Sequence, residues 1–196
     1  MARFVVVVDT QRDFIAADGA LSVPGAERLV GPMREWLAGL DPAETAGVLF
    51  TFDTHLPEVY EASAEAKDFP IHCVHGTAGW DNMLDPTALD PAIPVYRTEK
   101  GVFDMWAEPG LVIAPICPPA APTTPRDAFF DALKVKGVEE VIVIGVAADY
   151  CVRWAIEGLV ARGFAVTVPE ALTCGITRQI GEVVEGDFPQ AAVRIG

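Results

Sequence analysis

One cysteine, Cys151, stands where a predicted buried strand gives way to a predicted helix. The apolar run 138–146 indicates the strand, and apolar residues at helical spacing after Cys151 indicate the helix. Asp149 would cap this helix and place the thiol in its first turn, where unpaired N–H groups stabilise a thiolate and lower its pKa. The position suits a nucleophile, although cysteines are also often buried as inert apolar residues.

A nucleophilic thiol needs a base that accepts its proton and later passes it to the leaving group. Asp9, at the end of another predicted strand, can be that base because burial disfavours the charged form of a carboxylate. Lys100 follows a third strand and would hold the carboxylate while stabilising a thiolate or an oxyanion. The alternative is that Asp9 caps a turn and Lys100 is a solvated surface charge.

Asp53, His55 and His72 form a candidate metal-binding set. Alternate residues of an extended segment point the same way, so Asp53 and His55 can bind one ion, with His72 or its competitor His75 supplied by a loop. The ligand types suit zinc, iron or manganese, and three protein ligands leave positions open for water and substrate. We expect one divalent metal ion, with zinc as the first choice.

Six apolar runs predict the strands that must position these residues. They are residues 4–8, 48–52, 95–96, 138–146, 165–168 and 191–195. Helical periodicity fills several of the gaps, which predicts an α/β fold with three α/β/α layers and a central, mostly parallel six-stranded sheet. Ligand sites in such sheets gather beyond the carboxyl ends of the strands. The candidate residues follow four of these ends and are expected at one edge of the sheet.

The length of 196 residues suits a single domain covering residues 1–196. An insertion at about residues 107–126 contains six prolines, which helices and central strands rarely tolerate. We expect a long loop there that packs as a lid or contacts another subunit.

Charge and composition exclude several functions. The formal net charge is −14 and no basic cluster offsets it, which argues against nucleic acid and acidic membranes as partners. No apolar stretch approaches the roughly 20 residues of a membrane span, and the N-terminus lacks a signal-peptide pattern. The four cysteines have neither zinc-site spacing nor disulfide density. We expect a cytoplasmic protein with reduced cysteines that forms a homo-oligomer.

Five motifs carry a resemblance to a known family. They are residues 7–14 (VVDTQRDF), 53–55 (DTH), 69–77 (FPIHCVHGT), 98–101 (TEKG) and 145–152 (GVAADYCV). In this order they resemble the isochorismatase-like cysteine hydrolases, specifically the nicotinamidase/pyrazinamidase branch, from residue 4 to about residue 178. The resemblance implies an isochorismatase-like, Rossmann-like fold and an amidohydrolase that converts nicotinamide or pyrazinamide to the acid and ammonia.

The same resemblance implies roles for individual residues. Asp9, Lys100 and Cys151 would form a catalytic triad in which Cys151 attacks the carboxamide carbon and Asp9 shuttles protons. The N–H groups of Ala147 and Cys151 would form the oxyanion hole, after a cis peptide bond between Val146 and Ala147.

The resemblance also implies how a substrate ring is held. A metal ion on Asp53, His55 and His72 would hold the pyridine nitrogen of the small-molecule amide. The aromatic residues Phe14, Phe69 and Tyr150 would line a slot for the flat ring, although core packing explains each of them equally well.

Two other functions are compatible with the sequence. Phe69 stands where tryptophan is frequent in relatives, and residues 101–105 depart from the usual segment after the lysine, so another amide, carbamoyl or ureido substrate is the main alternative. A redox protein with Cys151 as an oxidisable thiol is less suited, because it needs neither Asp9 nor Lys100. Dinucleotide binding is excluded by the lack of a glycine-rich turn after the first strand. Isochorismate hydrolysis is disfavoured, because that reaction does not need the cysteine that this chain retains.

Overall fold

The computed structural model describes residues 2–117 and 122–196. In these two stretches the strands are β1 Arg3–Val8, β2 Thr45–Asp53, β3 Val95–Lys100, β4 Val112–Cys117, β5 Thr124–Pro125, β6 Glu140–Val146, β7 Ala165–Val168, β8 Thr173–Cys174 and β9 Val193–Ile195. The α-helices are α1 Arg12–Ile15, α2 Val30–Ala38, α3 Pro57–Tyr60, α4 Arg126–Val135, α5 Cys151–Ala161 and α6 Ile180–Asp187. None of these helices is both long and apolar enough to cross a bilayer.

All the strands belong to one sheet in the order β5-β4-β3-β2-β1-β6-β7-β9, with β8 beside β6. The strands β3, β2, β1, β6, β7 and β9 run parallel, whereas β4 and β5 are antiparallel to their neighbours. The six predicted strands are the six parallel ones of this main path, and the predicted fold class is confirmed. The prediction missed β4, β5 and β8.

Helices cover the sheet on both faces. Alternate residues of β1 point to opposite sides: Phe4, Val6 and Val8 join a core that includes residues of α4, α5 and α6. Val5 and Val7 join the second core, which includes residues of α2. Because both faces are buried, β1 is apolar at consecutive positions, as expected for a parallel sheet between two helical layers.

The prediction of a long loop over residues 107–126 is wrong for much of that segment. Residues 112–117 form β4, residues 124–125 form β5, and α4 begins at Arg126. Pro115 of β4 and Pro125 of β5 are tolerated because these two strands lie at one side of the sheet, where a missing N–H leaves no central ladder bond unmade. Ile113 of β4 is buried in the core, so the described part of the insertion extends the sheet. Residues 118–121 lie outside the described residues.

A glycine in α5 allows a tryptophan to pack directly against the helix. A Cβ atom at Gly158 would lie 2.1 Å from Nε1 of Trp106. The indole ring is held in place on several sides. Its N–H donates to the carbonyl of Trp154 at 3.0 Å, and the ring packs against Phe130 and the guanidinium group of Arg162. We therefore expect Gly158→Ala to lower the free energy of unfolding by about 1–3 kcal/mol, measured by urea denaturation.

The matched control is Gly186→Ala in α6, an exposed position where the added Cβ would make only an ordinary van der Waals contact, 3.8 Å from Nη1 of Arg178. An alanine there should raise the free energy of unfolding by about 0.5–1 kcal/mol, because it removes the entropic cost of a helical glycine. Equal stabilities of the two variants would contradict this account of the contact between Trp106 and α5.

Candidate active site

The carboxyl ends of four adjacent strands bring the candidate residues together. Asp9 directly follows β1, and Asp53 and Lys100 are the last residues of β2 and β3. Cys151 begins α5, after β6. Since β3, β2, β1 and β6 are neighbours and parallel, their ends meet at one edge of the sheet, as the sequence predicts.

Lys100 lies between two carboxylates and a thiol. Its Nζ is 2.8 Å from Oδ2 of Asp9, 3.3 Å from Oδ1 of Asp53 and 3.5 Å from Sγ of Cys151. Lys100 is only 2% exposed, so the alternative of a solvated surface charge is wrong. An ammonium group in this place can hold a carboxylate next to a thiol.

Thr51 orients the carboxylate of Asp9. Its hydroxyl donates to Oδ1 of Asp9 at 2.5 Å and also accepts from the main-chain N–H of Asp9 at 3.2 Å. Asp9 has a positive φ of 48°, a region that few non-glycine residues occupy. The two bonds to Thr51 stabilise this backbone turn and leave Oδ2 facing Lys100.

Burial and the neighbouring charges together shift the pKa values of Lys100 and Cys151. Burial alone would lower the pKa of Lys100, but the carboxylates of Asp53 and Asp9 outweigh burial and hold that pKa well above its usual value. Burial also raises the pKa of the Cys151 thiol well above its usual value, and the charge of Lys100 offsets only part of this rise. The prediction of a lowered thiol pKa is wrong, because the desolvation of Cys151 outweighs the favourable position at the start of a helix. A thiol whose pKa is raised in this way needs a base to become a nucleophile.

Asp149 does not cap α5, which corrects a second prediction. Its carboxylate accepts hydrogen bonds from the main-chain N–H groups of Ile176, Thr177 and Arg178 at 2.8 to 3.0 Å. The residue at the cap position is Tyr150, which makes no side-chain capping bond. Asp149 therefore ties the start of α5 to the segment after β8.

The turn between β6 and α5 has a fixed shape. The peptide bond between Val146 and Ala147 is cis, as the family resemblance implies. The carbonyl of Ala147 accepts from the N–H groups of Tyr150 and Val152 at 3.0 and 3.1 Å. These bonds place the main chain of Ala147 beside the N-terminus of α5, where Cys151 begins the helix.

Three of the predicted metal ligands lie together. Oδ2 of Asp53 is 3.2 Å from Nε2 of His55 and 3.1 Å from Nε2 of His72. Nδ1 of His72 lies 2.8 Å from the carbonyl oxygen of Pro70, which can only accept a hydrogen bond. Nδ1 is therefore assigned the proton of the neutral ring, and the lone pair of Nε2 is available to bind a metal. His75 is not part of this group, because its ring packs on Trp80.

Glu65 joins this candidate metal-binding group as a fourth member. One ligand atom each from Asp53, His55, Glu65 and His72 lies within 4.8 Å of the others. Oε1 of Glu65 is buried without a hydrogen-bond partner among the described residues, and it is 3.5 Å from Nε2 of His72. Burial, together with the charge of Asp53, raises the pKa of Glu65 to about 7. An unpartnered buried carboxylate among two imidazoles and a carboxylate fits a divalent cation.

The aromatic residues divide into two sets. The rings of Phe69 and Tyr150 meet edge to face with centroids 5.5 Å apart, and Phe103 contacts both at 5.6 and 5.4 Å. Phe14 is instead buried against the ring of His72 at 5.1 Å. The structure therefore places Phe69 and Tyr150 together with Phe103, and it puts Phe14 behind His72, a candidate metal ligand.

A cavity of about 560 Å³ opens beside His55 and Lys100. Its volume lies in the usual range for small-ligand pockets. The other lining residues are Thr54, Leu56, Val59, Tyr60, Ser63, His75, Glu99, Gly101 and Glu108.

Comparison with known proteins decides the family. No protein-family model matches the chain. A nicotinamidase/pyrazinamidase from Mycobacterium tuberculosis is 31% identical to it over 182 residues, which cover 89% of this chain and 88% of that protein. The chain belongs to the nicotinamidase/pyrazinamidase family.

Solved structures share the fold of this nicotinamidase/pyrazinamidase family member. The alignment with a pyrazinamidase/nicotinamidase from Streptococcus mutans covers 100% of both chains, with a TM-score of 0.76 and 18% identity. A pyrazinamidase of Pyrococcus horikoshii in complex with zinc has a TM-score of 0.73 and 23% identity, with 100% of this chain and 99% of that one covered. At these identities the two structures show the fold.

Sequence reasoning missed three residues that the structure places at this candidate site. Thr51 lies inside the apolar run of β2 and resembles any buried threonine. Glu65 follows other acidic residues in a polar stretch and carries no spacing signal. Phe103 lies in residues 101–105, which depart from the family pattern and so gave no reason to single it out.

Proposed function

We propose that this protein is an amidohydrolase that converts nicotinamide or pyrazinamide to the carboxylic acid and ammonia. The observation that carries the proposal is the buried contact of Lys100 with Asp9 and Cys151 beside a group of four metal-binding residues. Amide hydrolysis by a thiol needs a base, a nucleophile and a stabilised oxyanion, and this edge of the sheet has a candidate for each.

Acylation begins with the protonated thiol of Cys151. Asp9 accepts the thiol proton as Sγ attacks the carboxamide carbon, and the ammonium group of Lys100 stabilises both the carboxylate and the developing thiolate. We assign the N–H groups of Ala147 and Cys151 as donors to the oxyanion of the tetrahedral intermediate. The C–N bond then breaks, Asp9 returns the proton to the leaving nitrogen, and ammonia departs from a thioester on Cys151.

Deacylation uses the same groups in reverse. Asp9 accepts a proton from a water molecule as the water oxygen attacks the thioester carbon. The C–S bond breaks, the proton returns from Asp9 to Sγ, and the acid leaves. One carboxylate thus serves both half-reactions, which explains why its orientation is fixed by Thr51 and Lys100.

Asp53, His55, Glu65 and His72 are the residues that would hold a divalent ion. When bound, the ion would supply a Lewis acid that binds the ring nitrogen of the substrate and orients its carboxamide. We propose zinc, since imidazole and carboxylate ligands suit it, with iron and manganese as the other outcomes of metal analysis. The rings of Phe69, Phe103 and Tyr150 are proposed to contact the flat face and edge of the substrate ring.

The test is ammonia release from nicotinamide and pyrazinamide by the purified, metal-loaded protein. Benzamide is the matched control substrate, because it has the same shape but no ring nitrogen. We expect hydrolysis of the two pyridine-type amides with a much higher kcat/KM than that of benzamide. Hydrolysis of a carbamoyl or ureido compound without hydrolysis of nicotinamide would replace this proposal with the alternative substrate class.

Glu65→Gln should weaken the binding of the divalent ion about 10- to 100-fold, because it replaces a charged ligand oxygen with a neutral amide. Affinity is measured by competition with a chromophoric chelator. Glu61→Gln is the matched control, since it removes the same charge from an exposed position in the same polar segment. Equal affinities of the two variants would show that Glu65 is not a ligand.

A further inference from the structure

Gln11 is buried and all the hydrogen-bonding groups of its side-chain amide are used. Its Oε1 accepts from the main-chain N–H of Asp53 at 2.7 Å, and its Nε2 donates to the main-chain carbonyl of Asp53 at 2.7 Å. Nε2 also donates to the carbonyl of Trp80 at 3.1 Å. Gln11 is 0% exposed. Two of its three bonds are made to one residue of the candidate metal-binding group.

The geometry shows why a glutamine is suited to this place. The pairing between β1 and β2 ends at Val7 and Phe50, whereas β2 continues to Asp53. Beyond that point the amide of Gln11 offers Asp53 one donor and one acceptor, as a peptide group of a neighbouring strand would. The side chain therefore extends the hydrogen-bond ladder to the last residue of β2.

Small shifts of Asp53 affect several groups. Its Oδ2 lies 3.1 to 3.2 Å from Nε2 of both His72 and His55, and its Oδ1 lies 3.3 Å from Nζ of Lys100. A metal site tolerates only small deviations in the positions of its ligands. The main chain of Asp53 must therefore be held firmly for its carboxylate to serve both the histidines and the lysine.

We propose that Gln11 is a positioning residue for the metal centre, and that it sets the affinity for the divalent ion by fixing the main chain of Asp53. This inference rests on the proposed metal site. Gln11 acts through Asp53, so it is not a metal ligand. Loss of partners of this kind, which orient a ligand from behind, typically weakens metal binding about 10- to 100-fold.

The experiment measures the dissociation constant for zinc of the full-length protein by competition with a chromophoric chelator. Gln11→Met keeps the length of the side chain but removes its donors and its oxygen acceptor. We expect zinc binding to weaken about 10- to 100-fold. Zinc binding as tight as that of the unmodified protein would overturn the proposal.

A second variant decides the question even where Gln11→Met fails to fold. In Gln11→Glu one oxygen can still accept from Asp53, but the other faces the carbonyls of Asp53 and Trp80. A positioning role predicts weaker zinc binding. An influence through charge alone predicts tighter binding, because the added carboxylate attracts a cation, and that result would overturn the proposal.

Two controls separate the possible causes. Phe130→Leu removes core volume in α4 without touching the metal-binding residues, so it should lower the melting temperature and leave zinc affinity unchanged. Asp53→Ala should lose zinc binding. If the unmodified protein binds none of zinc, iron and manganese, the metal site of the proposed function fails, and this inference fails with it. If only Asp53→Ala loses affinity while both Gln11 variants retain it, the positioning role alone is overturned.

Discussion

Replacement of Cys151 by alanine should lower kcat for nicotinamide by about 10⁴-fold or more, because no other group of the site can form the thioester. Sγ of Cys151 lies 3.5 Å from the ammonium of Lys100, at the start of α5, and it is the thiol that contacts this lysine. The variant should fold, since the change removes one buried sulfur atom. Ammonia release measured over hours would detect the residual rate.

The matched control is Cys117→Ala, which removes a thiol from the end of β4, away from the edge with Asp9 and Lys100. It should retain the activity of the unmodified protein. Full activity in Cys151→Ala would contradict the nucleophilic mechanism. Loss of activity in both variants would point to a general sensitivity to cysteine replacement.

Asp9→Asn should lower kcat by about 10²- to 10⁴-fold, which is the range for the loss of a general acid-base group. The asparagine keeps the shape of the side chain and can still accept the hydrogen bond from Thr51. It cannot accept the proton of a thiol whose pKa is raised by burial. Both half-reactions should slow, so the defect should appear in kcat when substrate is saturating.

Asp18→Asn is the matched control for this change. It removes the same charge from a nearby carboxylate that forms an exposed ion pair with Arg12. An exposed pair of this kind contributes little to stability, so activity and melting temperature should stay close to those of the unmodified protein. Activity of Asp9→Asn within a few-fold of this control would exclude Asp9 as the proton shuttle.

The parallel core of the fold could be predicted because its strands are buried on both faces. A run such as residues 4–8 has no polar interruption, and in the structure its residues alternate between two apolar cores. The ends of four such strands then place Asp9, Asp53, Lys100 and Cys151 at one edge, since adjacent parallel strands end on the same side. The contact of Lys100 with both carboxylates follows from this placement.

Other features depend on tertiary contacts that the sequence does not reveal. Glu65 becomes a candidate ligand only because its segment folds back over His55 and His72. Asp149 carries the sequence signature of a helix cap, yet the residues after β8 offer it more hydrogen-bond donors. The direction of the thiol pKa depends on how completely Cys151 is buried, which helix position alone does not determine.

The proline-rich segment shows a different limit of sequence reasoning. Prolines exclude a central strand, but a strand segment with a partner on only one side needs fewer N–H donors. Pro115 of β4 lies opposite Tyr96 of β3 in an irregular antiparallel pairing, and the pairing of β4 with β5 is confined to Val112 and Ile113. Composition alone cannot separate such a strand from a loop, because both tolerate proline.

The most direct test of the mechanism is peptide mass mapping of the metal-loaded protein after acid quenching during turnover of nicotinamide. The account predicts a pyridinecarbonyl group attached through sulfur to the peptide that contains Cys151, and its absence from Cys151→Ala. Acylation of a different residue, or product formation by Cys151→Ala at the rate of the unmodified protein, would contradict it.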